Sequence, residues 1–111
     1  MKSKFEQAKN AAKLVLDQMS DPVIYEISWA IFLANPPIGL EHGKQLLKAC
    51  KKHHTTPDRY LERMWEDEDS RRILLDAVNA SHEVVGARFF TSDEFDHQWL
   101  PLICAIANDQ Y

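Results

Sequence analysis

Glycine is scarce in this chain of 111 residues: three occur, at positions 39, 43 and 86. Loops that cradle phosphate need closely spaced glycines, because backbone without a Cβ turns tightly enough to aim several N–H groups at one anion. Neither G-x-G-x-x-G nor a P-loop is present, and no G-x-S-x-G nucleophile elbow occurs. Cysteine is scarcer still. Cys50 and Cys104 are too few for a disulfide framework. Each falls in an apolar helical stretch, where a thiol packs as a small hydrophobe, and neither occupies a first helical turn that would favour the thiolate. Two free thiols are expected rather than a bridge.

Long apolar runs are also missing. The longest, Ile27 to Ala34, is interrupted by Ser28 and falls far short of the roughly 20 residues that span a bilayer. Met1 to Lys13 alternates charged and apolar residues and lacks the continuous apolar core of a signal peptide. A cytoplasmic chain without membrane contact is expected. Lysine disappears after Lys52. Residues 1–60 carry nine Lys/Arg against six Asp/Glu, whereas residues 61–111 carry four against eleven. Such asymmetry steers a charged partner, or lets the two halves pair with each other.

What the chain does have is core material: 45% apolar residues, with three Trp, five Phe and three Tyr. That suffices for one hydrophobic core, so residues 1–111 are read as a single domain. Helical periodicity recurs along the chain. Phe5, Ala8, Ala12, Val15, Leu16 and Met19 share one face of a first helix over residues 2–19. Asp21 and Pro22 suit the N-cap and first position of a second, over residues 22–34. That segment also alternates as a strand would, at Val23, Tyr25, Ile27, Trp29, Ile31 and Leu33. Its other face is apolar too, and no second strand is present to pair with it, so a central helix is predicted.

Asn35, Pro36 and Pro37 are expected to end it. A third helix follows from about Ile38 to His53, with Gly43 inside it, and Thr56 and Pro57 open a fourth. Ser70 is expected to open the fifth and Gly86 to stop it. Thr91 and Glu94 form a capping box for the last, with Phe90 and Phe95 placed as a hydrophobic staple and Pro101 as a kink. The expected fold class is all-α, a compact single-domain bundle of about six short helices.

The five histidines, at 42, 53, 54, 82 and 97, include no pair spaced i, i+3 or i, i+4. Helix-borne zinc sites need that spacing, so no metal and no cofactor are expected. Asp93 and His97 are four apart, which supplies only two ligands. Scattered carboxylates do not define an acid–base pair, so a small enzyme or metalloprotein stands as an alternative with no catalytic residue to name.

Two charged sets remain. Lys44, Lys48, Lys51 and Lys52 form a basic stripe on the third helix. The third and fourth helices resemble a helix-turn-helix only superficially, offering Arg59 and Arg63 beside Asp58, Glu62 and Glu66, whose charges phosphates repel. A nucleic-acid-binding regulator using the lysines is therefore the alternative reading. The sharper set is acidic. Asp58, Glu62, Glu66 and Asp69 recur on what reads as one face of the fourth helix, with Asp67 and Glu68 thickening its end. The ordinary reading is a solvated face balanced by the third-helix lysines. The functional reading is a docking patch for a basic protein, formed by Glu62, Glu66, Asp67, Glu68 and Asp69 with Trp65 as aromatic anchor. This leads to a non-catalytic protein-interaction domain, an adaptor or small inhibitor of the immunity-protein kind. Its oligomeric state is not legible.

Overall fold

Five helices begin where a short polar side chain takes up backbone N–H groups that have no partner within the helix. The computed structural model describes residues 3–33 and 40–109, with the side chains of 40–43 excepted. Ser3 Oγ accepts the Glu6 N–H at 3.1 Å and starts α1, Lys4–Leu16. Asp21 accepts from Val23 and Ile24 at 2.9 and 3.2 Å and starts α2, Pro22–Leu33. After α3, Leu40–Lys52, Thr56 caps α4, Pro57–Glu66, with proline at its first position. The proline-rich stop expected at Asn35 to Pro37 lies outside the described residues, as does the proposed start at Ile38.

The fifth helix corrects the sequence reading. It spans Glu68–Val85 and is capped by Asp67, so Ser70 is its third residue and not its opener. Asp67 Oδ1 accepts the Ser70 N–H at 3.0 Å, and its Oδ2 accepts the Ser70 hydroxyl at 2.7 Å. Gly86 ends this α5 in the left-handed conformation, φ 75°, as expected. The sixth helix, α6, combines a short turn at Ser92–Glu94, a π-helical stretch at Phe95–Trp99 and an α-helical stretch at Leu100–Asp109. The π-helical stretch lies just before Pro101, where the sequence led to the expectation of a kink. Pro101 has no N–H for the His97 carbonyl and its ring crowds that oxygen; the turn before it widens, and Leu100 donates to Phe95 O.

Among the described residues there is no strand, and the fold is an all-α bundle of six helices. The ambiguous segment is helical and buries one broad face: Ile24, Ile27, Ala30, Ile31 and Phe32 enter the core from it, while Val23 and Leu33 stay exposed. α1 lies along α5, α2 packs on α3, and α3 and α4 both rest on α6. The core joins Leu16, Ile27, Leu46, Met64, Leu74 and Ile103, each fully buried. One polar pair sits among them. Ser28 and Tyr60 hydroxyls share a 2.8 Å hydrogen bond, so neither is buried unsatisfied.

The capping box at Thr91 is formed as the sequence predicts. Phe90 and Phe95 both meet the Trp99 ring, at 6.1 and 5.2 Å between centroids. Arg88 grips Glu94 through two bonds of 3.1 and 2.7 Å. With the Thr91 N–H as second cause, this holds the Glu94 carboxyl at about 2, below its ordinary 4.5. A carboxyl depressed in the folded state stabilises above its unfolded pKa and loses that contribution as pH falls through the folded value. The stability gap between wild type and Glu94→Gln, read from urea midpoints, is expected to be full above about pH 5 and to close towards about pH 2. A gap independent of pH in that window would refute the link.

Candidate protein-docking corner

α4 and α5 are joined by a single residue. Asp67 donates its backbone N–H to Arg63 O at 3.1 Å, closing α4, while its side chain opens α5. Its carboxyl lies below the ordinary value because the Ser70 hydroxyl and N–H both donate to it. Glu68 and Asp69 therefore stand in a first helical turn. Carboxylates there favour the macrodipole, whereas at the end of α4 they would oppose it. The acidic face expected along one helix is split in the same way: Glu62 and Glu66 belong to α4, Asp69 to α5. Asp58 accepts a 2.5 Å hydrogen bond from Asn108 at the far end of α4.

The joint is braced from behind. Arg71 donates to the Met64 and Trp65 carbonyls at 2.9 and 2.6 Å, satisfying the open end of α4. Its guanidinium also lies 5.7 Å from the centre of the Trp65 ring. His97, from the π-helical stretch of α6, meets the same indole at 5.1 Å between centroids. Trp65 is thus held in place while 40% of it faces solvent. Beneath it, Asp96 bonds to Arg72 and lies 3.5 Å from Arg71 Nε.

Glu62, Glu66, Glu68 and Asp69 are all exposed. Their carboxylates form no hydrogen bond or ion pair with any described residue. The balance with the α3 lysines, the ordinary reading of the sequence, is accordingly not made among the described residues. Lys52 instead pairs with Glu26, whose other oxygen lies 2.8 Å from His53 Nε2. Arg63 is likewise committed, to Asp21 at 2.7 Å. Lys44, Lys48, Lys51 and Lys52 are exposed on α3. A groove of about 440 Å³ lies between α2 and α3, with Trp29, Leu33 and Ala49 in its wall and Lys48, Lys52 and Glu26 at its rim.

The remaining candidates are scattered. No group of three His, Cys, Asp or Glu suited to a metal occurs among the described residues. His82 is bonded to Arg88 O, His54 closes α3 with φ 55°, and the side chain of His42 lies outside the described set. Both thiols are free and buried, which pushes Cys50 up to about 11 and Cys104 up to about 12. No described helix is long and apolar enough to cross a membrane.

Sequence reasoning named Trp65 and its carboxylates as candidates and did not place Arg71, Arg72 and Asp96 beside them. Asp96 follows Arg72 by 24 residues, so their meeting depends on how α6 packs. The Asp93–His97 spacing was the one available signal; those side chains lie 3.6 Å apart at the edge of this corner. No family model, curated protein or solved structure matches this chain.

Proposed function

We propose that this chain is a non-catalytic protein-interaction domain, a cytoplasmic adaptor or small inhibitor, that docks a basic partner through the α4–α5 corner. The observation that carries the reading is the state of Trp65. A large indole is clamped at the surface by Arg71 and His97, with four exposed carboxylates on the flanking turns that have no described partner. A fixed aromatic loses little side-chain entropy when covered, and aromatic residues at the centre of an interface carry much of its binding energy. The surrounding charges act on encounter and on partner discrimination. The buried thiols, with their raised pKa values, are unsuited to nucleophilic work near neutral pH.

The double reversal Glu62→Lys/Glu66→Lys tests the reading. Neither carboxylate is engaged within the described chain, so the melting temperature should stay close to wild type. Affinity capture from the native cell should yield a basic protein on wild-type bait and lose it on the variant. The association rate should fall by about tenfold or more, and raised salt should reproduce that loss on wild type. Equal capture by both baits, or a partner insensitive to salt, would remove the corner from consideration.

A further inference from the structure

The corner has a complement on its own chain. The groove between α2 and α3 has an apolar wall, with Leu33 49% exposed in it and Trp29 half-buried beside it. Lys48 stands on its rim and makes no hydrogen bond or ion pair with any described residue. Lys48 also borders a second hollow of about 310 Å³ with Lys44, Leu47 and Lys51, so the positive charge continues past the groove. Glu26 is the one carboxylate among the described rim residues, and Lys52 and His53 already engage it. Among the described residues this face carries more lysines than carboxylates, and the corner more carboxylates than arginines.

We propose that the partner surface is the lysine-bearing face of a second copy of this chain: the corner of one molecule seats in the α2–α3 groove of the next, with the Trp65 indole against Trp29 and Leu33. This rests on the docking role of the corner argued above. A volume of about 440 Å³ lies in the range of roughly 300–1,000 Å³ that accommodates ligand-sized groups. Lys48, with Lys44 and Lys51 alongside, faces Glu62, Glu66, Glu68 and Asp69, so opposite charges meet around an apolar centre. Corner and groove are different patches. The contact therefore either repeats head to tail, leaving one unused corner and one unused groove on each pair, or closes as a two-fold dimer in which both corners are seated.

Sedimentation velocity on the full chain decides the matter. At low salt the average mass of wild type should rise with concentration, and at 1 M salt, where screening acts within about 3 Å, it should return to that of a single chain. Gln45→Glu/Lys48→Glu, which breaks no described pair, should weaken association by about tenfold or more, and Glu62→Lys/Glu66→Lys should do the same. An equimolar mixture of the two variants should restore two-chain species, because the first keeps its corner and the second keeps its groove. Trp65→Ala provides a variant without charge change and should also weaken association. Wild type that stays a single chain at low salt and high concentration overturns the inference. So does association that survives Gln45→Glu/Lys48→Glu. If wild type does not self-associate, but the corner reversal still loses a captured basic protein, the second copy is excluded and the docking role of the corner stands. If corner reversal changes neither capture nor mass, both readings fall.

Discussion

Phe95→Ala is expected to cost about 4 kcal/mol, the range for emptying a fully buried aromatic site. For a domain of this size that lowers the melting temperature by roughly 15–20 °C. Phe95 is fully buried, stacks on Trp99 with their planes 19° apart, and begins the π-helical stretch whose last bond ends on its own carbonyl. Collapse around the missing ring is restricted, because Trp99 is also held against Phe90, and Phe90 is pinned at both backbone groups by Asn79. Thermal melting followed by circular dichroism checks the value. A loss below about 1 kcal/mol would mean that the site closes up after all, and that packing here is looser than the distances indicate.

The neighbouring residue should be sensitive for the opposite reason. Asp96→Ala removes the carboxylate that answers both Arg71 and Arg72, whose Nε atoms are buried and make no hydrogen bond with a described residue. Breaking a buried pair from one side leaves uncompensated charge, at a cost of about 3–5 kcal/mol. Arg72 is 31% exposed in its side chain, so part of that is screened and about 2–3 kcal/mol is expected. Asp93→Ala serves as the control. Its carboxylate is 83% exposed and should change stability by less than about 0.5 kcal/mol. Equal stability of the two variants would show that the arginines find other partners.

What was legible in the sequence follows the range of the forces involved. Caps at Asp21, Thr56 and Thr91 could be read because the donor and acceptor lie within three residues of each other. The helical character of α2 was inferred from the lack of a pairing strand, and no strand occurs among the described residues. The start of α5 was misread because no glycine or proline separates Glu66 from Glu68, and an unbroken acidic run reads as one helix end. A lone Asp serving both helices has no compositional signature. Pro101 announced a disturbance but not its form, a π stretch that runs between the two buried rings of Phe95 and Trp99. Trp65 and the carboxylates were visible as types. Their bracing by Arg71, Asp96 and His97 was not, because it depends on α6 coming to rest beside the α4–α5 joint.

The one-residue joint at Asp67 also bears on how this chain can change over generations. Most connections between helices absorb an added or lost residue, because a loop has slack to redistribute. Here there is none. One residue inserted beside Asp67 would force α5 to shift or turn against α4, or add a residue to one helix and so turn its face by about 100°. Leu74 and Val78, now wholly buried, would swing off the core, and Arg71 would leave the carbonyls of α4. Length variants should be tolerated poorly at this point, even though it lies at the surface and is rich in charge. The spacing of Trp65 from Arg71 is thereby fixed more strictly than the identity of the acidic residues between them.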